Sequence, residues 1–239
     1  MPLPKIATPT YELELPSTGG TIKYRPFLVK EEKLLVIALE SEDNKQITNA
    51  IKAVLKACIL TKGIKVETLP TFDIEYLFLN IRGKSVGEDL EVNVTCPDDN
   101  ETKVPITIYL DDIQIQRDEN HSNKIKLDDS IMMELKYPSL DQFIKNNFDF
   151  EEKNAMDQSF DLIASCIDKV YTEDEVWATA DCTKKEVKDF LEQMNSSQFK
   201  EIESFFSTMP KLSHTIKVTN PNTKVESDVV LEGLASFFA

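Results

Sequence analysis

"NVTCPDDNETKVPI", residues Asn93–Ile106, and "KVTNPNTKVESDVV", residues Lys217–Val230, share one frame. Each runs through alternating apolar positions into Val-Thr-x-Pro, passes a polar turn, and alternates again. Successive side chains of a strand point to opposite faces, so Val92 and Val94 are expected to share a buried face, as are Ile216 and Val218. Pro97 and Pro221 pre-set φ, and Asp98, Asp99 and Asn222 suit turn conformations. Both stretches therefore read as β-hairpins, either a duplicated element or two uses of one good turn. Cys96 stands at the first tip, where zinc ribbons place their thiolates, but no second Cys follows three residues on and Asn220 takes its place in the second copy. Structural zinc asks for four ligands, usually in two close pairs. Cys58, Cys96, Cys166 and Cys182, with His121 and His214, do not supply them at such spacing. No metal and no cofactor is expected.

Upstream, Tyr11, Leu13 and Leu15 alternate with Glu12 and Glu14, and "PSTGG" turns the chain toward Thr21–Tyr24, an N-terminal hairpin. Glu31 and Glu32 fit a helix first turn, with Leu34, Leu35 and Ala38 as its apolar face. Ile47, Ile51, Val54, Leu55, Cys58 and Ile59 recur at helical spacing, ahead of Lys62 and Gly63 as helix-end residues. A third helix is expected from about Thr71 to Arg82, on Ile74, Leu77, Phe78 and Ile81. Strands follow at Leu90–Thr95, Val104–Leu110, Lys124–Leu127 and Ile131–Lys136. From Pro138 the pattern turns helical, with capping boxes at Ser139-x-x-Gln142, Thr183-x-x-Glu186 and Asn195-x-x-Gln198. Met156, Phe160, Ile163, Ile167 and Val170 step 4, 3, 4, 3, like the seam of one buried helix. The expected fold is α+β. An N-terminal α+β region covers 1–137, with hairpin, helices and a small antiparallel sheet. A mainly helical region covers 138–239, closed by the last hairpin and a Phe-Phe tail.

The chain has 239 residues and a net charge of −15. That sign repels phosphate backbones, so direct nucleic-acid binding is not expected. No apolar run approaches the roughly 18–20 residues that span a bilayer, and the start MPLPKIATPTYELEL holds no signal-peptide core. Four Cys without tight spacing suit a reducing cytoplasm.

The catalytic patterns in the sequence are incomplete. Gly83-Lys84-Ser85-Val86-Gly87 matches G-x-S-x-G by letter. A nucleophile elbow needs a strand entering and a helix leaving, because that strained turn lifts the Ser above the sheet. Here a helix enters and a strand leaves, so Gly83 reads as a helix terminator. Cys182 lies beside an expected helix N-terminus, which lowers a thiol pKa, but no base is in view. Phosphate-binding glycine motifs are absent. A serine or cysteine hydrolase using Ser85 or Cys182 remains the rival; the leading expectation is not an enzyme. Phe237 and Phe238 stand together, and at about 25 cal/mol per Å² each ring is worth roughly 2 kcal/mol when buried, either on its own domain or in a partner.

"PTYELELPSTGGTIKYRPFLVKEEKLL" (Pro9–Leu35), "LPTFDIEYLFLNIRGKSVGE" (Leu69–Glu88) and "FKEIESFFSTMPKLSHTIKVTNP" followed by "LEGLASFF" resemble the baseplate hub, or hub assembly, proteins of T-even-like contractile-tailed phages. The likeness runs in order across nearly the whole chain. It implies a non-enzymatic tail protein made in the host cytoplasm, either kept in the virion baseplate or released as a dedicated chaperone. It implies other tail and hub proteins as partners, with homo-oligomers as a further form. Tyr24, Arg25 and Phe27, from the "YRPFLVKEEK" word, and Phe237 and Phe238 are the expected partner-facing residues. On this likeness Cys96 is a remnant of a Cys pair.

Overall fold

The computed structural model describes residues 6–142 and 155–233, which form an α+β chain of short antiparallel sheets and helices. The described residues fall into two compact units. One takes 6–66, 72–116 and 211–233; the other takes 67–71 and 117–210.

The first unit opens with hairpin β1 (Tyr11–Glu14) and β2 (Thr21–Tyr24), in which Leu13 faces Ile22 and Tyr11 faces Tyr24. Helices α1 (Val29–Glu40) and α2 (Asn44–Cys58) follow and pack on each other. Asp43 caps α2 by accepting from the amides of Lys45 and Gln46. This helix stops before the expected Lys62–Gly63 end. The Cys58 carbonyl accepts from the Arg25 amide at 3.0 Å, and Ile59 makes a bridge with Tyr24, so strand pairing takes over the chain.

Helix α3 (Thr71–Val86) also departs from expectation, continuing past Arg82. Gly83 sits inside it, and a Cβ there would lie 2.8 Å from Leu110 Cδ1, so this glycine makes room rather than ending the helix. Gly87, at φ 128, closes it by donating its amide to the Gly83 carbonyl.

The two Val-Thr-x-Pro stretches are hairpins, β3 (Asp89–Thr95) with β4 (Lys103–Tyr109), and a second pair formed by the strands we number last. Leu90, Val92 and Val94 meet Leu212, Ile216, Val218 and Leu231 in one core, as the alternation predicts. The short strand β5 (Gln114–Gln116) pairs with the start of the last hairpin, Ile115 opposite Leu212.

The second unit is a four-stranded antiparallel sheet, β6 (Lys124–Lys126), β7 (Met132–Leu135), β8 (Ile167–Tyr171) and β9 (Val176–Ala178), in that order. Helices α4 (Ala155–Cys166), α5 (Lys184–Glu192) and α6 (Ser196–Thr208) complete it. Its core gathers Ile125, Met133, Leu135, Ile163, Ile167, Leu191, Ile202 and Phe205. The single helix expected through Val170 ends at Cys166. Ile167 pairs with Leu135 and Lys169 with Glu134, so the β-branched end of that stretch joins the sheet. All three capping boxes form; at the first, the Ser139 amide donates to Gln142 Oε1 at 2.7 Å.

The boundary expected at residue 137 falls inside the second unit. The last hairpin, β10 (Lys211–Thr219) and β11 (Glu226–Glu232), expected with the helical part, shares the core of the first, because β10 pairs with β5 and packs its Val218 face on β3.

Candidate interaction surfaces

Tyr24 and Phe27 are buried within the first unit, and Arg25 makes an ion pair with Glu31 at 3.0 Å. Glu31 is itself buried and also accepts from the Leu28 amide at 2.8 Å. Burial alone would raise its pKa, but the Arg25 hydrogen bond, the Leu28 amide and the Arg25 charge outweigh it and hold the carboxyl below its ordinary value. The "YRPF" residues thus fasten β2 to α1, and their side chains offer little surface to a partner. Phe237 and Phe238 lie outside the described residues.

Ser85 is on α3, not on an elbow. Its hydroxyl donates to the Ile81 carbonyl at 2.5 Å and accepts from the Phe27 amide at 2.9 Å. Both directions of the group are engaged in tying the loop after β2 to α3. Cys182 is half-buried between a 3-10 turn and the Thr183 cap, with its thiol directed at the Ala178 carbonyl. His121 lies in the second unit between Thr208 Oγ1 at 2.9 Å and the Tyr137 hydroxyl at 3.0 Å, stacked on Tyr137. Burial lowers its pKa, partly offset by Asp118. His214 is on β10, opposite Leu231. Among the described residues, the hydroxyl of Ser85 and the thiol of Cys182 bond to backbone groups and to neither imidazole.

The two hairpin tips come together. Each has the same turn: the Asn100 amide donates to the Cys96 carbonyl, the Lys224 amide to the Asn220 carbonyl, both at 2.9 Å, and Asn100 and Lys224 have φ 56 and 65. Cys96 and Asn220 hold equivalent places and both are buried. Asn220 Nδ2 donates to Asp99 Oδ2 at 2.8 Å and to both Asp98 oxygens at 3.1 Å, while its Oδ1 accepts from the Asn222 amide. Thr223 adds a bond to Asp98, and Asn222 one to Thr102. Where a ribbon would place a metal, this chain has side-chain hydrogen bonds. Among the described residues, no three His, Cys, Asp or Glu side chains are grouped to hold an ion.

Exposed large apolar side chains are most concentrated on α1 of the first unit, and the second unit has an apolar cleft beside the exposed Val176 and Trp177. On α1, Val29, Leu34, Val36, Ile37 and Leu39 face outward, and only Leu35 and Ala38 of its apolar residues are buried. Leu34, expected in the core, is thus on the outside. A helix with apolar residues all round has no outer side that its sequence alone can mark. In the second unit, Ile131, Ile167, Val170, Trp177, Val187 and Phe190 line a cleft of about 340 Å³. Trp177 is 45% exposed and lies on β9, an edge strand of its sheet. Sequence reasoning missed both surfaces; for the second, the signal was the only tryptophan of the chain.

A family model described as T4 bacteriophage base plate protein matches residues 8–239. The chain belongs to that family. No curated protein and no solved structure matches it. A base plate protein works in contact with other tail and base plate proteins, and such contacts are what large exposed apolar patches on folded proteins mark. No described helix of this base plate protein is long and apolar enough to cross a membrane.

Proposed function

We propose that this chain is a non-enzymatic hub protein of the baseplate, a subunit or hub assembly factor that acts through its surfaces. One observation carries the reading. The groups that could react, Ser85, Cys182 and His121, are engaged in bonds that hold the fold, whereas α1 leaves Val29, Leu34, Val36, Ile37 and Leu39 in solvent on one helix. The base plate family match supports the tail; the ordered resemblance of the "YRPFLVKEEK" and "IRGKSVGE" words supports the hub. The partners are other hub and tail proteins, met in the host cytoplasm during assembly.

Mass spectrometry of purified particles, beside a pull-down from infected cells, tests this. Stoichiometric presence in particles, with hub proteins as the captured partners, gives a subunit. Capture of hub proteins with absence from particles gives a dedicated chaperone. Capture only of tail proteins outside the hub overturns the hub reading. Loss of infectivity in a folded Ser85→Ala or Cys182→Ala variant that still assembles baseplates would restore the hydrolase.

A further inference from the structure

The outward stripe of α1 repeats at i, i+4, i+7 and i+11 with Val29, Lys33, Val36 and Glu40, flanked by Leu34, Ile37 and Leu39. All seven are exposed, Val29 to 80% and Ile37 to 53%. Together with Leu28 they present apolar surface on the order of 500 Å², near the upper end of what a monomer shows in one patch. One side of a standard interface needs about 800 Å². Lys33 and Glu40 lie inside the patch, and among the described residues neither has a hydrogen-bond or ion-pair partner.

The order of these residues is self-complementary when reversed. We infer that α1 pairs with α1 of a second copy of this chain, antiparallel, about a two-fold axis passing between Val36 and Ile37. That one axis sets Lys33 opposite Glu40 of the other copy, a contact made twice, with Val36 and Ile37 each meeting its own counterpart beside the axis. Val36 and Ile37 lie nearest the axis, the ion pairs about one turn out on either side, and Leu34 and Leu39 at the margins, an arrangement in which charges fix register while apolar contacts hold the helices together. Antiparallel helix dipoles favour the same orientation. A parallel pairing in register would instead set Lys33 on Lys33 and Glu40 on Glu40. The inference rests on reading α1 as an interface and names its occupant; it does not depend on whether the baseplate part served is the hub.

Sedimentation of the purified full chain at about 10–100 μM tests it apart from any particle, a range suited to a weak interface of this size. The wild-type chain is expected to dimerise. Lys33→Glu and Glu40→Lys each place like charges together twice and are expected to weaken the dimer about tenfold or more. The Lys33→Glu/Glu40→Lys double variant should return to within a few-fold of wild type. Val36→Asp should leave a monomer whose circular dichroism is unchanged, since Val36 is exposed. A wild-type chain that stays monomeric overturns the inference. So does a double variant no better than the single ones. If the wild type is monomeric while Val36→Asp loses another tail protein from a pull-down, the face belongs to that protein and not to a second copy.

Discussion

Asn220 donates its side-chain amide to Asp99 at 2.8 Å, joining two turns 121 residues apart in the chain. The Asn220 side chain is fully buried, its amide is shared among three carboxylate oxygens, and its carbonyl is taken by the Asn222 and Thr223 amides. Replacing it by Ala removes the donor that lets two neighbouring carboxylates turn inward. Asn220→Ala is expected to lower stability by about 1–3 kcal/mol, the cost of breaking buried polar bonds. Asn220→Asp should be worse, since it adds a third carboxylate and removes the donor. Urea melts of the two variants check the order.

The same tips define an acid limb. Asp99 is held well below the ordinary carboxylate range by the Thr102 hydroxyl, the Thr102 and Glu101 amides and Asn220, and Asp98 is held below it by Thr223 and Asn220. A carboxyl whose folded pKa is depressed adds stability above its unfolded pKa and loses it as pH falls through the folded value. The loss therefore begins below about pH 4, the unfolded carboxylate value. Asp99→Asn should flatten the fall in melting temperature between pH 4 and the most acidic conditions in which the protein stays soluble. An unchanged slope would remove the tips from the acid response.

Ser85 is expected to matter for folding and not for chemistry. Ser85→Ala leaves the Phe27 amide without its partner, at a cost of about 1–2 kcal/mol, read as a lower melting temperature. A serine-directed fluorophosphonate should leave the native protein unlabelled, because the hydroxyl is held by Ile81 and Phe27. Gly87→Ala should also destabilise, since φ 128 is closed to L residues.

What the sequence carried and what it hid follow from range. Capping boxes close within four residues, so Thr183-x-x-Glu186 and Asn195-x-x-Gln198 could be read and both form. The alternation of Val92 and Val94 and of Ile216 and Val218 marks buried faces directly. Ile167 and Val170 fit the helical step as well as a strand, and only their pairing with β7 decides between the two. β5 has three residues, too few to show a period. The Ser85 hydroxyl gains its meaning from Phe27, 58 positions away, which no local motif reports. The resemblance pointed to Tyr24, Arg25 and Phe27; the burial of Tyr24 and Phe27 and the Arg25–Glu31 ion pair tie these residues to the fold, a long-range role that the letters of the word do not carry.

The thiols should separate by burial. The pKa of Cys166 is pushed up to about 12 and that of Cys58 to about 11, and burial raises that of Cys96 as well. Reaction requires the thiolate. Cys182 alone of the four is half-buried rather than buried. A thiol reagent at pH 8 is expected to titrate one group quickly in the native protein and all four in denaturant. Cys182→Ser should remove the fast phase, and its persistence would mean that one of the buried thiols opens readily.

His121 gives the second unit a response at milder pH than the hairpin tips. Its ring is held by Thr208 and Tyr137 and packs against Phe205, and burial lowers its pKa below the ordinary 6.5. Below pH 6.5 the unfolded chain takes up a proton that the folded site resists, so stability is full above that value and declines as pH falls through the folded pKa. Asp118 works against the shift and limits its size. Stability should therefore begin to fall below about pH 6.5, before the carboxylates of the tips respond. His121→Gln keeps a polar side chain at the site without the titration and should remove this segment of the curve while leaving the limb below pH 4. Asp99→Asn should do the reverse. Melting curves of both variants across pH 3–8 separate the two windows, and a His121→Gln curve that still falls as pH drops below about 6.5 but before the acid limb would assign that segment to another group.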